Sequence, residues 1–154
     1  MEKKPVKSSV DYFHFGDLLD KKTNETRIAL RKIFEAEILP KSAEYNDKAL
    51  YPHYLRALYR KLELGKHLND KPYGFSTPLM SQAVFVMELA RIDLSATLVA
   101  AVSLKLAGNT IGLYGTKEQK EKYLPRLMNM EIIGGWAFTE PEAGSDARGL
   151  RTTA

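Results

Sequence analysis

The sequence predicts a mainly α-helical protein that closes on one short strand. Three observations carry that expectation. Apolar residues recur at spacings of three and four over most of residues 24–130. Helix start signals stand where those runs begin. The one run with the character of a strand, Ile132 to Thr139, comes near the end of the chain, after the helices.

The elements follow in order. Residues 1–20, including DYFHFGDLL, read as an extended N-terminal arm. Ile28, Leu30, Ile33, Phe34, Ile38 and Leu39 give one broad apolar helical face, and Pro40 ends or kinks that helix. A short polar helix is expected from Lys41 to Lys48. Pro52 suits the first turn of the next helix, which buries Leu55, Leu58, Tyr59 and Leu62. LGKHLNDKPYGFSTP is a loop, rich in turn formers, and Ser76 or Thr77 before Pro78 starts a helix running to Ala90. Another helix spans Ser95 to Tyr114. Both are apolar nearly all round, which predicts central burial. Thr116 and Gln119 form a capping box for a helix over 117–130, with Pro125 inside it. Arg91 and Asp93, two apart, would not face each other on a helix. Tyr51, Tyr54 and Tyr59 read as packing residues.

A lone strand is physically incomplete, because its backbone donors and acceptors need a neighbour. Ile132–Thr139 therefore implies a β-sheet supplied by further chain or by another subunit.

Chemistry concentrates in Trp136-Ala-Phe-Thr-Glu-Pro-Glu-Ala-Gly-Ser-Asp146. A strand ends at Pro141 and gives way to a small-residue loop, Ala143-Gly144-Ser145. Glycine ahead of serine lets backbone approach a ligand, and amides with a hydroxyl at such a turn suit phosphate oxygens. Thr139 at the strand end can aim its hydroxyl at a planar ring, and Trp136 offers an aromatic wall. On these residues alone, a structural turn capped by Asp146 and a phosphate site both stand.

This stretch resembles the acyl-CoA dehydrogenase signature, in which an aromatic residue precedes a Thr-Glu-Pro turn and then Gly-Ser-Asp. The upstream YGTKEQKEKYLPRLMNMEIIGGWAFTEPEAGSD and ELARIDLSA are similar to the same family, and DYFHFGDLL resembles the start of its short-chain acyl-CoA oxidase and glutaryl-CoA dehydrogenase branch. The resemblance implies an N-terminal helical domain over 21–131 and, over 132–154, the start of a middle β-domain. A C-terminal helical bundle would follow in the full family fold, which is usually a homotetramer. It also implies FAD. Ala137 and Phe138 backbone would touch the flavin ring, Thr139 would hydrogen-bond to it, and Trp136 would sit near the flavin and the thioester. Gly144 and Ser145 would meet the FAD pyrophosphate, with Ser145 also near the CoA arm of an acyl-CoA substrate. The family's catalytic glutamate belongs to the C-terminal bundle, so this chain supplies no catalytic residue, and Glu140 serves the turn instead.

Two functions follow as expectations. One is the N-terminal portion of an enzyme oxidising acyl-CoA to 2-enoyl-CoA, unable to catalyse or hold FAD tightly alone. The alternative is a non-catalytic accessory subunit of a larger assembly. Family resemblance places the protein in mitochondria first and peroxisomes second. Thr97 stands where the glutaryl-CoA dehydrogenases carry an arginine, so the expected substrate is not a dicarboxylyl-CoA.

Composition narrows the field. The chain has 154 residues, 44% hydrophobic and 27% charged, with net charge +4 and its basic and acidic residues interleaved. That argues against a nucleic-acid groove, which needs a concentrated basic stripe, and leaves room for a CoA phosphate or a partner subunit. Without cysteine there is no disulfide, cysteine zinc site or thiol nucleophile. His14, His53 and His67 are scattered and predict no metal site. The longest uncharged stretch, Pro72 to Met87, is shorter than the roughly 20 residues a membrane span requires. MEKKPVKSSV lacks the apolar core of a secretory signal.

Overall fold

A computed structural model describes residues 14–153. Most of the expected arm, residues 1–13, lies outside them. A 3-10 turn, Phe15–Leu18, leads into the helices. These are α1 (Lys21–Glu37), α2 (Leu39–Asp47), α3 (Tyr54–Lys61), α4 (Leu64–His67), α5 (Leu79–Ile92), α6 (Leu94–Ala100), α7 (Gly108–Tyr114) and α8 (Lys117–Met128). A π-helical segment, Ala101–Ala107, joins α6 to α7 without a break. The described residues divide into two compact units, 14–52 with 78–94, and 53–77 with 95–153.

In the first unit, Asp20 caps α1. The Thr23 N–H donates to its carboxylate at 2.9 Å and the Thr23 hydroxyl at 2.6 Å. These bonds hold the Asp20 carboxyl below its usual range. The broad apolar face expected on α1 narrows to Leu30, Phe34 and Ile38, spaced by four, while Ile28 and Leu39 stay exposed. α1 packs along α5. Glu88 lies between them, 3% exposed, with Arg31 forked onto both its oxygens at 2.8 Å and Arg91 Nε at 3.1 Å. Arg91 also reaches Glu35 at 2.7 Å, and the Ser42 hydroxyl donates to Asp93. Arg91 and Asp93 thus do face different partners, though within a half-buried network. Burial pushes the Glu88 carboxyl up, but the two arginines outweigh it and hold it below its ordinary value.

In the second unit, α3 buries Leu55, Leu58 and Tyr59, and the Tyr59 hydroxyl donates to the Ala96 carbonyl at 2.7 Å. Pro52 stands two residues ahead of α3 rather than in its first turn. The predicted 64–78 loop opens with the helical turn α4, where Gly65 meets α8. A Cβ on Gly65 would lie 2.7 Å from the Met128 Cα, so only glycine permits this approach. Ser76 and Thr77 do not cap α5. The Ser76 hydroxyl accepts from the Lys71 amide, and Thr77 meets His67 Nδ1 at 3.1 Å. α8 carries the expected capping box: Gln119 N–H donates to Thr116 Oγ1 at 3.2 Å and Thr116 N–H to Gln119 Oε1 at 2.8 Å.

Two expectations about burial and length need correction. α5 and the 94–114 helix are not buried all round within this chain, since Leu79, Leu94, Leu113 and Tyr114 are each more than half exposed. And Leu94–Tyr114, 21 residues, is long and apolar enough to cross a membrane by length and composition. Counting only uncharged runs missed it, because Lys105 interrupts the stretch. Core helices pass the same test; the Lys105 ammonium is spent on the Leu68 carbonyl.

The expected strand over Ile132–Thr139 does not form. Among the described residues there is no strand, only an isolated bridge between Glu140 and Ala143. The reason is the one the sequence already contains. A strand is defined by a partner ladder, and nothing in the described chain pairs with 132–139.

Candidate functional site

The segment of interest is launched from the end of α8. Met130, with φ 52° and full burial, takes the left-handed position usually given to glycine. Its N–H donates to the Leu127 carbonyl at 2.8 Å and that of Glu131 to the Arg126 carbonyl at 2.9 Å, the two bonds of a Schellman stop. Two arginines one turn apart on α3 hold this corner. Arg60 Nε donates to the Asn129 carbonyl at 2.8 Å, and Arg56 to the carbonyls of Met130 and Glu131. The Gly134 N–H then donates to the buried Ser103 hydroxyl at 2.9 Å.

Beyond Gly134 the chain leaves its own packing. Trp136 and Phe138 are 45% and 38% exposed and stack on each other, centroids 4.7 Å apart and planes within 2°. The Phe138 N–H folds back to the Trp136 carbonyl at 3.0 Å. Thr139 is exposed. The turn that follows is closed by paired backbone bonds between Glu140 and Ala143 at 3.0 and 3.2 Å. Ala143 is buried, whereas Gly144 and Ser145 face outward.

Glu140 binds the returning chain. Its oxygens accept the Arg151 N–H at 2.8 Å and the Thr152 N–H at 2.9 Å. The Thr152 and Arg151 hydrogen bonds hold its carboxyl below the usual range. Asp146 caps the 3-10 turn Ala147–Gly149, accepting from the Arg148 N–H at 3.2 Å.

The glycines separate two kinds of position. A Cβ on Gly134 would sit 2.5 Å from Ala107 Cβ, so the fold itself demands glycine there. A Cβ on Gly135 or Gly144 would meet nothing within 4 Å, and neither has positive φ. Nothing among the described residues requires those two to be glycine. They leave open backbone beside the exposed Trp136–Phe138 stack and the Thr139 and Ser145 hydroxyls, the kind of surface that admits a flat ring and a phosphate.

All six sequence-predicted site residues, Trp136, Ala137, Phe138, Thr139, Gly144 and Ser145, are thus exposed. Ser103, Arg56 and Arg60, which hold the segment's root, were missed. Ser103 was legible as a polar residue inside an apolar run, and the two arginines as a pair at i, i+4. A crevice of about 510 Å³ between Asn69–Tyr73 and Gly108–Leu113 lies elsewhere and is lined by none of the six.

A family model described as acyl-CoA dehydrogenase, N-terminal domain, matches residues 20–131. FadE25 of Mycobacterium tuberculosis, by its description an acyl-CoA dehydrogenase, is 35% identical over 137 residues, 88% of this chain and 35% of that protein. The bovine mitochondrial short/branched chain specific acyl-CoA dehydrogenase is 29% identical over 82% of this chain and 29% of its own length. The glutaryl-CoA dehydrogenase of Mycobacterium smegmatis, solved in complex with FADH2, superposes with a TM-score of 0.82 at 30% identity, over 91% of this chain and 36% of that one. The chain spans about a third of the length of such relatives. They come from bacteria and from mitochondria alike.

Proposed function

The chain belongs to the acyl-CoA dehydrogenase family, and from that premise we propose that it is the N-terminal portion of a flavin-dependent acyl-CoA dehydrogenase or oxidase, supplying one wall of the flavin and acyl-CoA site. The observation that carries this is the open backbone at Gly135 and Gly144 beside the exposed Trp136–Phe138 stack, where the chain's own packing leaves glycine and aromatics unexplained.

In this reading FAD, when bound, supplies the acceptor for a hydride from the acyl β-carbon. The chain's own residues bind and orient. Trp136 and the backbone of Ala137 and Phe138 would hold the flavin ring and exclude water from it, and the Thr139 hydroxyl would hydrogen-bond to it. Gly144 and Ser145 receive the pyrophosphate, and Ser145 borders the CoA arm. Glu140 serves the turn, its two oxygens accepting backbone amides of the returning chain, and is not assigned as the base that takes the α-proton. The base and the opposite flavin wall come from a middle β-domain and a C-terminal helical bundle, or from another subunit. The exposed apolar faces of α5 and the 94–114 helix favour such a cover. They equally suit the second reading, a non-catalytic accessory subunit.

The test is to purify the chain and measure flavin absorbance, acyl-CoA oxidation with an artificial electron acceptor, and oligomeric state. The expected result is a protein without tightly held flavin or turnover, whose Trp136 emission is nonetheless quenched weakly and saturably by added FAD. Stoichiometric flavin with turnover in a monomer overturns the one-wall reading, and quenching that never saturates overturns the site. Substrate class gives a further prediction. Thr97 is buried and has no guanidinium to meet a distal carboxylate. An active enzyme containing this chain should therefore oxidise monocarboxylyl-CoA esters in preference to glutaryl-CoA, which competition kinetics will decide.

A further inference from the structure

The Gly134–Gly135 pair sits at the boundary between chain that is held and chain that is open, and its two members differ sharply. At Gly135 a Cβ meets nothing within 4 Å. At Gly134 it would fall 2.5 Å from Ala107 Cβ, 3.2 Å from Leu127 Cδ2 and 3.2 Å from the Ser103 carbonyl oxygen. The φ of Gly134 is not positive, so glycine serves close approach here and not backbone freedom. The N–H that this approach would strand is taken by Ser103, whose side chain is fully buried. Ser103 and Ala107 both belong to the π-helical segment, a departure from α geometry that tends to mark functional positions. Two residues further on come Trp136 and the aromatic stack.

We infer that Ser103 and Gly134 form a clamp that positions the Trp136–Thr139 segment for the flavin, Ser103 being a positioning residue with no contact to the cofactor. This rests on the flavin-wall reading above. The clamp works by steric fit and one hydrogen bond together. The missing Cβ lets the backbone seat against Ala107, and the hydroxyl satisfies the amide that seating removes from water. Between the Arg56–Arg60 grip at 129–131 and this point at 134, the root of the segment is fixed at both ends, and only the residues after it are left to meet a ligand.

Trp136 is the chain's single tryptophan, so its emission reports on this segment alone. The experiment compares the whole chain with Ser103→Ala, Gly134→Ala, and Gly134→Ala combined with Ala107→Gly. Trp136 emission and acrylamide quenching are read without flavin, FAD titrations are read by Trp136 quenching, and circular dichroism controls for helix content. Ser103→Ala and Gly134→Ala should each shift the emission, raise the quenching and weaken the FAD response by about tenfold in Kd, at unchanged helicity. Removing the Ala107 Cβ should restore most of the Gly134→Ala loss, a recovery that general destabilisation does not give. Wild-type emission in Gly134→Ala, or no recovery in the double variant, overturns the clamp. Should Ser103→Ala lose helicity, the Gly134 and Ala107 pair alone decides. If FAD fails to quench even the wild-type chain, the flavin reading falls, and the emission measurements still judge the clamp.

Discussion

Glu88 and Glu140 show how differently two regions of this molecule are finished. Around Glu88, between α1 and α5, every charge has an answer within the chain: Arg31 and Arg91 grip the carboxylate and Glu35 takes the rest of Arg91. Around Glu140 the carboxylate is also satisfied, by the Arg151 and Thr152 amides, but residues 135–139, with the rings of Trp136 and Phe138, are left toward solvent. The first region is closed on itself. The second is held at its root and its turn and left exposed between them. A segment can therefore be ordered at both ends and still keep its middle open to solvent.

Breaking the closed region should give the largest effect. Glu88→Gln leaves two partly buried guanidiniums facing a neutral amide, and should cost about 3 kcal/mol of stability, read from the denaturant midpoint. Gly65→Ala drives a Cβ into the Met128 backbone, which cannot move aside as a side chain would, and should cost about 2 kcal/mol by the same measurement. Thr116→Ala removes the α8 capping box for about 1 kcal/mol. The gentlest probe is acid, applied to the open region. Glu140 has its folded value held below the ordinary carboxylate 4.5, so its grip contributes above the unfolded value and is lost as pH falls through the folded one. Protection of the Arg151 and Thr152 amides, taken relative to the intrinsic exchange rate at each pH, should fall as pH drops below the ordinary 4.5, before the helical signal changes. If helix and amides respond together, the turn is part of the closed region after all.

The same division decides what the sequence reveals. The α8 capping box and the break between α1 and α2, with Pro40 in the first turn of α2, rest on local chemistry, so a dozen residues suffice to see them. The helical turn at Leu64–His67 was hidden because Gly65 looks like a loop former, when its purpose is contact with Met128, far along the chain. The narrow face of α1 was overestimated because Ile28 and Leu39 are apolar without being covered here. Ile132–Thr139 reads as a strand because its residues suit a sheet, but strand formation is a property of two segments, and none of the described residues pairs with it. The six candidate residues were found by motif. Their support, Ser103, Arg56 and Arg60, comes from helical segments 31 or more positions from the backbone groups they hold, and spacing alone does not connect them.

The chain's glycines also make a record that natural variation can be read against. At Gly65, Gly74 and Gly134 any larger residue strikes the chain itself; at Gly74 a Cβ would stand 2.5 Å from the Asn69 carbonyl carbon. Descendants of a common ancestor should keep glycine at these three wherever they keep the helical fold, whether or not they bind anything. Gly112, open and in a helix, should drift toward alanine. Gly135 and Gly144 belong to neither group, since no internal contact guards them. Lineages that have given up a ligand should lose glycine there first, and lineages that retain it should not, so these two positions keep the history of use separately from the history of folding.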